Sequence, residues 1–416
     1  MKEERKKQLE ELYAAKVQAK AEEISKWIYE HPEDGDQEFL SSAYICEQLK
    51  ETGFSVQLPY GSLKTAFRCE LKGSKPGATY AFLAEYDALP GYGEQHDELA
   101  HACGHNWIGA VCAGVGLMFA QMQEELEGTI VIMGTPAEET TGGKCVLVEE
   151  GAFDDVDFAF QLHLGAENNA HVVTLAMDSL EFTFHGKAAH AAAYPHLGVN
   201  ALDAVNLMFT GISYLRQQLR CDTRVHGIIT KGGEACNIIP DLCACKFYIR
   251  AADKAYMEEI SAKIVNIAKG ASFMTGTQME YRNFENTYYD LVNLESFQQL
   301  YVENAKLCGS GDFVDSDADA SGSSDVGNVS HVCPMMYSEL ALKGPTPAYA
   351  HDVNFLEYLK LPCADDKLRK GIISLCLTVF DLYDEKQRED IMMNLILEKS
   401  KQISIYPEKA GAYRHK

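Results

Sequence analysis

Thr129-Ile-Val-Ile-Met-Gly-Thr-Pro-Ala-Glu-Glu139 is a short apolar run that breaks at glycine and proline and ends on two adjacent carboxylates. The part from Thr129 to Gly134 reads as a strand buried on both faces, as in the middle of a parallel sheet. Two other stretches read the same way. Tyr80-Ala-Phe-Leu-Ala-Glu85 is bounded by Gly77 and by Pro90-Gly91, and Asp157-Phe-Ala-Phe-Gln161 leads into Leu162-His163. Helical patterns alternate with these runs, which predicts an α/β fold with a mostly parallel sheet flanked by helices. In such sheets ligands gather beyond the carboxyl ends of the strands. Asp87, Glu138, Glu139 and His163 all fall at those ends, which says more than any one of them alone.

Between the first two strands lies His101-Ala-Cys-Gly-His105, a thiol and an imidazole one residue apart. Cysteine and histidine at such spacing begin a transition-metal site. A buried thiol beside a core histidine is the plain alternative for the pair taken alone. From Trp107 to Met122 the chain is apolar nearly all round and rich in small residues, which predicts a buried helix whose first turn carries Cys103 and His105. The amino terminus of that helix is expected to favour the Cys103 thiolate.

Around this centre, helical spacing of apolar residues runs from Leu9 to Ile28 and from Phe39 to Leu49. From about Leu175 the pattern changes: strand Leu180–His185, helix Gly198–Leu219, strands Arg224–Thr230 and Lys246–Ala251, helix Tyr256–Ala268, strand Gln278–Phe284. That order is the split arrangement of a ferredoxin-like α+β domain. We therefore expect a catalytic domain from residues 1–174 and 287–416 and an inserted domain at 175–286. An edge strand of the insert could pair with a second copy, making a homodimer. The chain returns with a helix near Leu294–Leu307, and Asp365–Tyr383 is expected to be the last long helix.

Composition bounds the function. The 416 residues exceed one ordinary core, and 46% hydrophobic with 24% charged residues is globular. A net charge of -24 makes nucleic acid and anionic membranes poor partners by repulsion. No run approaches the roughly 20 apolar residues that span a bilayer. The charged start Met1-Lys-Glu-Glu-Arg-Lys-Lys lacks a signal-peptide core, and 13 cysteines without framework spacing suit free thiols in a reducing compartment. A cytoplasmic protein is expected. Asp315-Ser-Asp-Ala-Asp319 starts like a calcium loop, but Ala320 and Val326 stand where glycine and glutamate are needed, so a solvated loop is expected.

Five blocks in order, Ala84-Glu-Tyr-Asp-Ala-Leu-Pro-Gly91, His101-Ala-Cys-Gly-His-Asn106, Thr135-Pro-Ala-Glu-Glu139, Gly186-Lys-Ala-Ala-His-Ala-Ala-Ala193 and Asn237-Ile-Ile-Pro240, resemble the M20 metallopeptidases. The likeness covers almost the whole chain. It is strongest to the amidohydrolase branch that includes aminobenzoyl-glutamate hydrolase, aminoacylase and indoleacetyl-amino-acid hydrolase relatives. The resemblance implies a metal-dependent hydrolase of N-acyl amino acids, aminobenzoyl-glutamate-like conjugates or dipeptides. It also implies two divalent metal ions per protomer, zinc or manganese. Cys103, His105, Glu139, His163 and His351 would be the ligands, with Cys103 bridging, and Glu138 would be the general base. His190, in related dimers, reaches into the partner's active site, and Arg250 with Asn237 would meet the substrate carboxylate.

The residue chemistry agrees with those roles. An amide is a poor electrophile and water a poor nucleophile, and two cations about 3.5–4 Å apart activate both. One carboxylate of the 138–139 pair can ligate while its neighbour moves a proton. His190 can supply a donor to the oxyanion, and the Arg250 guanidinium matches a carboxylate with two parallel bonds. Asp87 is expected to orient a ligand histidine.

Each residue has a plainer competitor: a solvated pair for Glu138–Glu139, a core histidine for His163, His331 in place of His351, His196 in place of His190. Arg250 would otherwise close an ion pair, and Asp87 would form a turn before Pro90. Two departures bear on substrate. Tyr92 to Ala100 is longer than in near relatives and would form a rim, and Asn106 replaces the usual aspartate, as in the aminobenzoyl-glutamate group.

Overall fold

The computed structural model describes residues 2–314, 322–346 and 348–405, the last seven of these by backbone alone. The calcium-loop look-alike at 315–320 lies outside the described residues. Twelve strands are present among the described residues. They are β1 (Ser55–Gln57), β2 (Phe67–Lys72), β3 (Lys75–Ala84), β4 (Leu89–Tyr92), β5 (Glu98–Ala100), β6 (Glu127–Gly134), β7 (Phe158–Gly165), β8 (Ala176–His185), β9 (Arg224–Lys231), β10 (Leu242–Ala251), β11 (Gln278–Asn283) and β12 (Met335–Ala341). The chain divides into two compact units, one of Met1–Val173, Leu291–Asp319 and Asn328–Lys416, the other of Thr174–Asp290 with Ala320–Gly327.

The first unit holds a six-stranded sheet in the order β1-β2-β6-β3-β7-β12. The four strands from β6 to β12 are parallel, and β2 and β1 are added antiparallel at one edge. Parallel strands need both faces covered, and the sequence supplies this: Tyr80 to Ala84 and Ile130 to Met133 are buried at every position. Ala84 lies beside Gly134, and Gly165 beside Ala341, so the four carboxyl ends share one edge of the sheet. Across the sheet packs the helix His105–Gln121, touching β3, β6 and β7 and the helices Gln18–Glu30 and Pro362–Asp381. Its Gly109, Gly114 and Gly116 allow this close approach, since a Cβ at Gly114 would stand 2.3 Å from Ile372.

Two expectations change here. The helix starts at His105, behind a left-handed Gly104 (φ 82°), so Cys103 sits in the turn before it rather than in its first turn. Pro362–Asp381 is not the last long helix, because Glu385–Ile405 follows it. The extra residues after Pro90 fold as the β4–β5 hairpin.

The second unit is a four-stranded antiparallel sheet in the order β11-β8-β10-β9, with helices Ala201–Leu215 and Lys254–Thr275 packed on it. Strand β10 alternates strictly, Cys243, Cys245, Phe247, Ile249 and Ala251 being buried. The strand-helix-strand-strand-helix-strand order is that of the ferredoxin-like arrangement.

Candidate metal centre

The carboxyl edge of the parallel strands collects most of the predicted side chains. β3 runs on to Asp87, β6 to Glu138 and Glu139, and β7 carries His163 near its end. The turn before the long helix brings Cys103, and the backbone N–H of His351 donates to the Ala102 carbonyl, 2.8 Å, fixing the late segment beside it. Both Ala137 and His351 have positive φ (60° and 73°). Such strain in residues with a Cβ persists only where the surroundings hold it. For Ala137 the holder is Glu38, whose Oε1 accepts from the Ala137 N–H at 2.7 Å while Thr65 Oγ1 donates to its Oε2.

Ligand atoms of Cys103, His105 and His163 lie within 4.8 Å of one another, and so do those of Cys103, Glu139 and His351. Cys103 belongs to both triads. Its Sγ is 3.5 Å from His163 Nε2, and His351 Nε2 is 3.3 Å from Glu139 Oε1. Two donors on one tetrahedral cation with bonds of roughly 2.0–2.3 Å stand about 3.3–3.6 Å apart, so both spacings suit a shared ion. Glu138 places a carboxylate oxygen within 4.8 Å of the ligand atoms of His105 and Glu139.

Asp87 joins these elements. Its Oδ1 is 2.7 Å from His105 Nδ1, and its Oδ2 accepts the Glu139 backbone N–H at 2.9 Å. With Nδ1 engaged, His105 presents Nε2 inward, and that atom is buried without a hydrogen-bond partner among the described residues. A buried orphan nitrogen calls for a partner, and a divalent cation fits this donor set.

Electrostatics point the same way. Burial drives the Cys103 thiol well above its usual range, opposite to the shift expected from the helix terminus, because the residue lies outside the helix and is fully enclosed. A bound divalent cation is what reverses such a shift. Burial works against the charge on His105, yet Asp87, Cys103 and Glu85 raise its pKa well above normal. For Glu139 burial opposes ionisation, but His351 and His105 outweigh it and hold its pKa at about 2. His163 is shifted down by burial, keeping the imidazole neutral as a ligand must be.

Three further residues went unnoticed in the sequence. Glu85, 1% exposed, accepts from Lys144 Nζ at 2.5 Å and from Gln161 Nε2 at 2.7 Å, and its Oε2 stands 3.5 Å from His105 Nε2. Lys144, wholly buried, was detectable as a lone charge in Gly143-Lys-Cys-Val-Leu-Val148. Glu38 carried no local signal, since its partners lie 27 and 99 residues away.

The other expected residues lie elsewhere. His331 precedes the amino end of β12, a strand length from the carboxyl edge where His351 sits. His190, Asn237 and Arg250 belong to the second unit. There the Asn237 carbonyl accepts from the Ala191 N–H at 2.9 Å, pairing the two segments. His190 Nδ1 accepts from the Ala192 and Ala193 N–H groups at 3.3 and 3.1 Å, which puts its proton on Nε2 as a donor. Arg250 donates to Ser323 Oγ at 3.0 Å, and no carboxylate pairs with it among the described residues. His196 is exposed on the short helix Pro195–Leu197.

Known proteins place this site in context. Residues 81–379 match the model of peptidase family M20/M25/M40. The chain is 34% identical to the Xaa-Arg dipeptidase of Mus musculus, over 86% of this chain and 84% of that protein. It is 36% identical to one of the p-aminobenzoyl-glutamate hydrolase polypeptides of Escherichia coli K12, over 62% of this chain and 56% of that protein. The fold is shared with a dinuclear metal-binding peptidase of the M20 family from Bacillus subtilis, with a TM-score of 0.62 at 21% identity, covering 86% of this chain and 98% of that one. The chain belongs to peptidase family M20/M25/M40 and is a metallo-hydrolase of amide bonds.

Proposed function

We propose that this protein binds two divalent cations, zinc or manganese, and hydrolyses the amide bond of N-acyl amino acids, aminobenzoyl-glutamate-like conjugates or dipeptides. The observation that carries the reading is the double membership of Cys103 in two ligand triads. Cys103, His105 and His163 would hold one cation, and Cys103, Glu139 and His351 the other. When bound, the cations supply a nucleophile at neutral pH and polarise the scissile carbonyl. Glu138 takes the proton of the attacking water and hands it to the leaving amine. Asp87 fixes the His105 tautomer and raises its basicity. From the second unit, His190 Nε2–H is assigned to the oxyanion, and Arg250 with Asn237 to the substrate carboxylate. That unit, residues 175–286 in the sequence reading, is assigned as the lid and dimerisation domain of a cytoplasmic homodimer.

A second reading, a dipeptidase acting on free-amine dipeptides, is favoured by the likeness to the Xaa-Arg dipeptidase of Mus musculus. A silent binder of conjugates is disfavoured by Glu138, which a binder does not need. Apo protein reloaded with zinc or manganese and offered N-acetyl amino acids, aminobenzoyl-glutamate and β-alanyl dipeptides will turn over some of them, and chelator will abolish this. In Glu138→Gln, kcat falls by roughly 10²–10⁴ while metal content stays at two per chain. Two bound metals with no loss of rate would overturn the role of Glu138, and no bound metal would overturn the ligand set.

A further inference from the structure

Glu138 is flanked on both sides by captured backbone. The Glu139 N–H donates to Asp87 Oδ2 at 2.9 Å, and the Ala137 N–H donates to Glu38 Oε1 at 2.7 Å. Both captor carboxylates are buried. Ala137 is buried too, in the left-handed region at φ 60°, and its carbonyl accepts from the Gly142 N–H at 2.8 Å. That region costs a residue with a Cβ roughly 1–2 kcal/mol, so without an outside acceptor Ala137 would relax and rotate the peptide that carries Glu138. Glu38 is itself held at both ends. Its backbone opens the helix Phe39–Lys50, where the Ser42 N–H and Oγ donate to the Glu38 carbonyl at 3.1 and 2.7 Å. Its second carboxylate oxygen accepts from Thr65 Oγ1 at 2.8 Å. Just ahead, Glu33 accepts from the Leu40 and Ser41 N–H groups at 2.9 and 2.8 Å, and the Ala88 N–H, next to Asp87, donates to the Glu33 carbonyl at 2.8 Å. The short stretch 33–41 is thus tied to the loops on both sides of Glu138, although it lies ahead of the residues 81–379 that match the family.

We propose that Glu38 is a positioning residue for the hydrolysis: through the Ala137 N–H it holds the left-handed turn that aims Glu138 at the attacking water. The proposal rests on the amidohydrolase reading, in which Glu138 moves the proton. Proton transfer depends on placement to a fraction of an ångström, whereas substrate binding does not need Glu138 in line. Loss of the hold therefore appears in kcat and leaves KM alone. Metal binding is spared as well, because Asp87 keeps its own hold on the Glu139 N–H.

Kinetics, metal content and melting are compared for metal-loaded wild type and variants. Glu38→Ala should lower kcat by roughly tenfold to a hundredfold, with KM within about twofold and two metals per chain. Glu38→Gln, whose amide oxygen still accepts from Ala137 while its NH2 faces Thr65 Oγ1, should recover most of that loss. Adding Ala137→Gly to Glu38→Ala should recover part of it, since glycine takes a positive φ without the penalty. In a Glu138→Gln background, Glu38→Ala should cost nothing further, because a residue that acts through Glu138 has nothing left to aim. A merely structural role would lower the rate equally in both backgrounds. Thr65→Val, a milder change that frees the Glu38 carboxylate to turn, should lower kcat by about threefold and carries the test if Glu38→Ala does not fold. Wild-type kcat in folded Glu38→Ala, or in Thr65→Val where the alanine variant does not fold, overturns the positioning role, and so does an equal loss in the two backgrounds. Failure of the underlying reading shows elsewhere: a wild type that hydrolyses nothing, or Glu138→Gln at full rate, removes the base and the positioning role with it.

Discussion

Cys103 is the residue on which the two triads depend, and this makes its loss different in kind from the loss of any other ligand. Replacing His351 by alanine removes a donor from one triad only, so about one metal per chain should remain after dialysis. Cys103→Ala removes a donor from both, and metal analysis should show both sites weakened together; retention of one full equivalent would mean that the thiolate is not shared. Asp87→Asn keeps the shape but forces the amide NH2 to face either His105 Nδ1 or the Glu139 N–H, both of which need an acceptor. A loss of metal affinity of roughly 10–100-fold is expected, read by competition with a chromophoric chelator. Cys103, His105, Glu139 and His163 stood out in the sequence because each lies next to an apolar strand or an apolar helix, whereas His351, in a loop, came from the resemblance alone. Glu85 and Glu38 did not stand out, since each is a lone carboxylate whose partners arrive only on folding.

At the scale of elements, the short helix Gly143–Glu149 is anchored to the end of β3 by the buried pair Lys144–Glu85. Burial works against ionisation of Glu85, but Lys144 outweighs it and lowers its pKa. Lys144→Met should therefore strand a buried carboxylate and cost about 3–5 kcal/mol, whereas Lys144→Met with Glu85→Gln should recover much of that. Thermal unfolding of the metal-free forms decides it: equal losses in single and double variants would show that the pair is not the anchor. Glu38 holds the Glu138 loop and titrates in the other direction. Burial raises its pKa to about 7, above its unfolded value, so folding favours its protonated form. Its contribution to stability is full below about pH 4.5 and is lost as the pH rises to about 7. Glu38→Gln should flatten the stability of the metal-free protein over that window, and an unchanged slope in urea titrations would refute the assignment.

The sequence announced β3, β6 and β7 by continuous apolar runs, but not β2 or β12. Phe67-Arg-Cys-Glu-Leu-Lys72 hides a buried strand because Arg68 is neutralised by Glu70 and Asp155, and Met335 to Ala341 is broken by a serine and a glutamate.

At the scale of the molecule, the change of pattern near Leu175 marked the second unit. The contribution of 322–327 to it went unread, since a short polar segment carries no periodicity of its own. All 13 cysteines are free, and no helix among the described residues is long and apolar enough to cross a membrane. What remains to be decided is assembly, and the two edges of the second sheet differ in what they offer. β11 exposes Gln278, Glu280, Arg282 and Asn283 around one aromatic side chain, Tyr281 (49%), so the charged and polar cover that natural edges use against pairing predominates there. Among the described residues β9 pairs with β10 alone, and it exposes Ile228 (64%) and Ile229 (43%) in adjacent positions, one toward each face of the strand. Two copies meeting antiparallel along β9 would satisfy the free backbone groups and cover both isoleucines, continuing one sheet through a twofold axis. The chain should sediment at twice its 46.1 kDa mass, and Ile228→Lys with Ile229→Lys should halve that mass while metal content and melting of the first unit stay as they were. A lysine variant that still sediments as the dimer would move the interface away from β9, and a wild-type monomer at micromolar concentration would remove the homodimer from the proposal altogether.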